Sequence, residues 1–140
     1  MASMPLWTFV SESGRDVLKE WARKVRLPTW ARARLDQKLD VVSQQPFETL
    51  IHTRLLAGPI AKQRHIYKLR VDGATAVRVM LCRGPLLGES GHTLLEGALE
   101  RDRRLTPPDA PERAARNREK VISDPAHRRK PYEPFGTADE

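Results

Sequence analysis

An internal disulfide is excluded at the outset, because Cys82 is the one cysteine of the sequence. A chain with no dependence on oxidation fits a reducing compartment. No apolar run reaches the roughly 18 residues that a membrane-spanning helix requires, so no membrane partner is expected. Met1 to Met4 lead into a strand-like stretch, where a secretory leader would place a basic and then an apolar segment, and cytoplasmic residence is the expectation. His52, His65, His92 and His127 share no metal-ligand spacing and form no pair, so surface or core positions are expected for them. Aromatic residues are only 6% of the chain, and Trp7, Trp21 and Trp30 are assigned to the core between helices and sheet. No internal repeat recurs. The scarcity that matters most is local: from Lys62 to Arg83, six Lys or Arg stand against a single acid, Asp72.

What is present suits one compact domain. The 140 residues are 39% apolar, enough for a core, and 31% charged. A net charge of +7 and an isoelectric point near 10.1 favour an anionic partner: nucleic acid, an acidic protein or a membrane surface.

Residues 5–12 (P-L-W-T-F-V-S-E) have the aromatic and β-branched content of a first strand. Ser13 offers an N-cap to a helix that places Val17, Leu18, Trp21 and Val25 on one face. Pro28 ends it, and residues 29–45 restart with Trp30, Leu35, Leu39 and Val42 on a stripe, so an αα-hairpin is expected. Residues 50–64 hold one short strand or turn. Residues 94–101 are ambiguous: T-L-L-E resembles a capping box, yet Gly97 would sit inside the helix it starts. T-P-P-D stops that segment and supplies Thr106 or Asp109 as cap to a last helix ending near Ser123. Residues 1–124 are read as the domain and 125–140 as a basic, Pro-rich tail, ordered only where it docks.

The stretch I-Y-K-L-R-V-D-G-A-T-A-V-R-V-M-L-C-R alternates as a hairpin. With a loop of Asp72, Gly73 and Ala74, Val71 faces Thr75, Leu69 faces Val77 and Tyr67 faces Val79, giving one apolar side. A two-residue Asp-Gly turn would mix the faces despite being the stronger turn signal. The same register sets Lys68 opposite Arg78, and like charges opposed on a sheet cost up to about 1 kcal/mol. Either the long cations splay into water, or the face is built for a phosphate that brings the missing negative charge.

These segments, with L-E-R-D-R-R-L-T-P-P and the charged run E-R-A-A-R-N-R-E-K, resemble the RelE/HigB group of the RelE/ParE toxin superfamily over about residues 6–124. The resemblance implies an α+β fold: a small antiparallel sheet packed against an N-terminal helical hairpin, in the order β-α-α-β-β-β, with a C-terminal helix. It also makes residues 94–101 a strand. It implies a toxin of a type II toxin-antitoxin pair, an endoribonuclease that cuts messenger RNA on the ribosome without metal or cofactor, by attack of the ribose 2′-hydroxyl on the adjacent phosphate. The implied partners are a cognate antitoxin, messenger RNA and the ribosome.

Carried over by position, Lys68 and Arg70 match the family's Y-K-L-R strand, Arg78 its strand arginine, and Arg101 the basic residue after the next strand. Arg78 could hold two phosphate oxygens, a contribution of about 3 kcal/mol, while Lys68, crowded by other cations, is the better base. Lys62, Arg64, Arg83, Arg103, Arg116 and Lys120 are RNA-binding candidates; the helix that carries the last two is equally readable as a solvated face. Ala76 stands where relatives carry an aromatic residue, and Ala98-Leu99 replaces a more usual G-F, so base stacking is less assured. Tyr132 is either a late catalytic tyrosine or an exposed tail residue, and Cys82 is a half-buried structural cysteine. Two other readings remain: a non-catalytic ParE-like toxin that inhibits gyrase by contact, and an inactive phage-derived nucleic-acid-binding protein.

Overall fold

A computed structural model describes residues 4–136. Seven strands and five helices among them form an α+β fold around one mixed, open sheet. In chain order these are β1 (Leu6–Phe9), α1 (Val17–Lys24), α2 (Thr29–Gln44), α3 (Phe47–His52), β2 (Leu56–Ala57), β3 (Tyr67–Val71) and β4 (Ala76–Arg83). Then come β5 (His92–Arg101), β6 (Arg104–Thr106), α4 (Ala110–Ser123), α5 (Pro125–Arg128) and β7 (Arg129–Pro131). The strands lie in the order β2-β3-β4-β5-β1-β7, with β6 paired to the far end of β5.

The sheet is not wholly antiparallel. β1 runs parallel to β5, Leu6 beside His92 and Thr8 beside Leu94. It is an interior strand because β7 pairs with its other edge, and both its faces are covered: Leu6 packs with the core on one side and Phe9 is buried on the other. A parallel neighbour requires the chain to cross back over the sheet, and the α1–α3 segment does so.

Each face of the sheet carries its own core. Leu69, Val71, Val77, Val79 and Leu81 meet Leu18 and Ala22 of α1, Leu35, Leu39 and Val42 of α2, and Leu50 of α3. Met80, Cys82, Leu95 and Ala98 meet Ala110, Ala114 and Val121 of α4. Burial pushes the Cys82 thiol up to about 12, which leaves it an unreactive core residue.

Two helix starts differ in how they are capped. α1 begins at Asp16, not Ser13, because the Asp16 carboxylate accepts the Lys19 N–H at 3.1 Å and also the Thr8 hydroxyl. α4 begins after Asp109 as expected, though that carboxylate accepts from the Arg113 side chain rather than from the helix backbone.

Gly97 explains why residues 94–101 extend rather than coil. A Cβ at this position would run into the ring of Trp21, so the glycine gives α1 its close approach to β5. Gly97→Val is expected to cost about 2 kcal/mol of stability through overpacking, read as a lowered urea midpoint with the slope unchanged.

The hairpin has the expected parity but a longer loop. Val71 faces Val77, Leu69 faces Val79 and Tyr67 faces Leu81, so five residues, 72–76, separate the first pair. Val71 therefore does not face Thr75, and Arg70, not Lys68, lies opposite Arg78. Gly73 is not spent on a tight turn: Trp30 of α2 lies where its Cβ would be, and Arg34 donates to the Asp72 carbonyl at 3.0 Å. Packing against α2 holds the loop open.

Past Asp124 the chain re-enters the sheet. β7 pairs antiparallel with β1, and Phe135 is buried in the α1–α3 core. Asp36 of α2 fixes this strap: it accepts the Tyr132 hydroxyl at 2.6 Å and the backbone N–H groups of Phe135 and Gly136. Tyr132 is therefore neither an exposed tail residue nor a free acid, and burial and the Asp36 carboxylate raise its pKa above the ordinary tyrosine value.

Candidate nucleic-acid interface

Alternation along β3 and β4 puts Lys68, Arg70 and Arg78 on the face that α4 partly covers. The three differ in what they can still do. Arg70 is exposed and Lys68 half-buried. Arg78 is buried, and its guanidinium is already engaged: Nε donates to Glu100 at 2.7 Å, while Nη1 donates to Asp72 at 3.0 Å and to its own strand's carbonyl at Val77. The acids that answer the cation excess thus come from the hairpin loop and from β5. With both carboxylates in place, Arg78 neutralises protein charge rather than a phosphate.

Arg101 does not join that group. It follows the alternation of Gly97 and Leu99 and so falls on the α1 side of β5, beside the 102–103 turn. Asp102 and Arg103 both adopt left-handed φ values there, +52° and +64°, and Arg103 sits exposed at the tip. Arg83 also belongs to the α1–α3 side, where its guanidinium lies 4.1 Å from the centre of the Phe47 ring. Lys120 pairs with Glu12 at 3.5 Å. The four proposed catalytic residues are not gathered into one pocket.

Three RNA-binding candidates do come together. Lys62 and Arg64 on the segment before β3, and Arg116 on α4, line one groove of about 740 Å³ with His65 and Arg118. Glu119 is the single acid on its rim. Lys62, Arg64 and Arg116 make no salt bridge among the described residues, and Arg118 donates to Glu119 at 3.1 Å. Ile60, Ile66 and Ala115 supply apolar walls. Burial, then Arg118 and Arg64, push His65 below the ordinary imidazole value, as expected where cations converge. Lys68 lies two residues beyond Ile66 on the same face and extends the basic track along β3. Sequence spacing could reveal the cations but not the groove, whose two walls are some fifty residues apart in the chain.

The segment itself is built to project. Ile66 N–H donates to Gln63, Gln63 N–H to Ile60, and Ile60 N–H back to Ile66, closing a compact turn. Lys62 sits at its crest with a left-handed φ of +70°, a strained conformation for a residue with a Cβ.

Glu96 marks the opposite electrostatic extreme of this face. It lies across Met80 from Lys68 and is buried, with Arg113 at 3.7 Å. Burial outweighs that neighbour and raises its pKa to about 7 from 4.5. An unfolded chain releases this proton first, so stability is fullest below pH 4.5 and declines as pH rises through 7. Glu96→Gln removes the decline: relative to the parent it should gain about 2–3 kcal/mol between pH 5 and pH 8, measured by urea unfolding at the two values.

Among the described residues no group of three His, Cys, Asp or Glu is arranged to hold a metal, and no helix is long and apolar enough to cross a membrane. No family model matches the chain, and no curated protein or solved structure matches it at a significant level.

Proposed function

We propose that this chain is an RNA-binding toxin of the RelE/HigB type, which holds RNA by its phosphates along the groove between α4 and residues 58–66 and cleaves it by 2′-hydroxyl attack. The observation that carries the RNA part is the convergence of Lys62, Arg64, Arg116 and Arg118 on one groove, with three of the four unpaired. Clustered unpaired cations repel one another, and a polyanion relieves that cost. Support for the toxin part is coarser: a mixed α+β fold in which β1 is followed by the helices α1–α3, the β3–β4–β5 meander and then α4, while α3, β2 and the parallel β1–β5 pairing depart from the β-α-α-β-β-β antiparallel order. The helical hairpin, the cognate antitoxin, messenger RNA and the ribosome belong to the same proposal.

A second reading rests on Arg78. Its engagement with Asp72 and Glu100 favours a non-catalytic binder that keeps the basic surface without cutting, as a ParE-like inhibitor of gyrase or an inactive nucleic-acid-binding protein would. Induced expression with mapping of RNA 5′ ends separates the two. Cuts within translated codons, lost on Lys68→Ala, support the nuclease. Growth arrest with intact RNA and damaged DNA supports the gyrase inhibitor.

A further inference from the structure

The groove carries more information than its charge. Its base is apolar: Ile66 is 1% exposed, and the half-buried Ile60 and Ala115 flank it. Its rim is cationic on both sides, and at about 740 Å³ it falls in the size range of small-molecule pockets. A surface that met only phosphates would have no use for an apolar floor between its cations.

Arg118 supplies a second observation. Its side chain is 16% exposed, and one end of the guanidinium is held by Glu119. Its Nε is buried with no acceptor, so the hydrogen-bonding capacity of the guanidinium is not filled within the protein. A phosphate oxygen is an acceptor of the right charge.

We propose that the groove seats one unstacked nucleotide, its base against Ile60, Ile66 and Ala115 and its phosphate against Arg118, so that the protein selects single-stranded over duplex RNA. The proposal rests on the RNA-binding reading above and names the form of RNA that the site takes. In a duplex the bases are stacked and paired inside the helix and cannot reach the floor, so duplex RNA would touch the rim alone. His65 places its ring at the same rim.

The test compares an unstructured oligouridylate with a duplex RNA of equal length on the full chain, by fluorescence anisotropy at fixed salt. The single strand is expected to bind about tenfold more tightly, the contribution of burying one base face against an aliphatic floor. Ala115→Leu, which fills the floor without touching a cation, should erase that preference and leave duplex binding unchanged. Uridine monophosphate should displace the oligonucleotide from the unsubstituted protein, an arm that does not depend on the variant folding. Equal affinity for the two RNAs, an unaltered preference in Ala115→Leu, or no displacement by the mononucleotide overturns the nucleotide seat while leaving RNA binding intact. Absence of binding to either RNA overturns the RNA reading as well.

Discussion

Arg78→Ala is expected to lower the free energy of unfolding by about 3 kcal/mol, before any question of activity arises. The Arg78 side chain is 8% exposed and Glu100 20% exposed, so deleting the guanidinium leaves a carboxylate poorly solvated and unpaired. Asp72, 68% exposed, reverts to water at little cost, which places the figure at the low end of the range for broken buried pairs. Relief of the repulsion from Arg70, directly opposite, returns a few tenths of a kcal/mol. Urea unfolding of parent and variant measures the difference. A loss under about 1 kcal/mol would mean that the guanidinium is free in solution and open to a phosphate. A loss near 3 means that a drop in RNA cleavage by this variant reports folding, and that Lys68→Ala is the cleaner probe of chemistry.

Removing the groove cations should have the larger effect on binding and almost none on stability. Lys62, Arg64 and Arg116 are exposed and unpaired, so Lys62→Ala, Arg64→Ala and Arg116→Ala together should leave the fold within about 0.5 kcal/mol of the parent. Each lost phosphate contact removes about one decade of single-strand affinity at low salt, and the triple variant is expected to bind RNA at least a hundredfold more weakly. Replacing Arg83 and Arg103 with alanine is the control, compared per charge removed. Both are exposed cations outside the groove, and an equal loss from that pair would mean that net charge alone drives binding.

The hairpin shows how far local pattern reaches. Parity placed Leu69, Val71, Val77 and Val79 on one face, because a period of two is a property of the strand itself. The register slipped by one pair because the Asp72-Gly73 loop answers to Trp30 and Arg34 of α2, which no pattern within the hairpin contains. Residues 94–101 give the same lesson from the other side: T-L-L-E speaks for a helix locally, and Trp21 packed on Gly97 decides for a strand. The place of β1 beside β5, and the return of residues 129–131 to pair with β1, are pairings across most of the chain and leave no short-range trace.

The site divides in the same way. Lys62, Arg64 and Arg116 stand out in the sequence because charge is legible residue by residue. Their apolar floor is not, since Ile60, Ile66 and Ala115 look like ordinary core positions until α4 is laid against the 58–66 segment. Within the hairpin, Arg78 stands among cations with only Asp72 as acid. Glu100, 22 residues along the chain, supplies the missing charge, and only the pairing of β4 with β5 brings it there.

The most direct test of a phosphate-gripping groove is the dependence of RNA affinity on salt. If Lys62, Arg64, Arg116 and Arg118 each neutralise one phosphate of a single strand, the logarithm of the binding constant should fall with the logarithm of salt concentration at a slope of about −3. The slope should shrink to about −0.7 in the triple variant. A shallow slope in the parent, or one unchanged when the three cations are removed, would contradict the account.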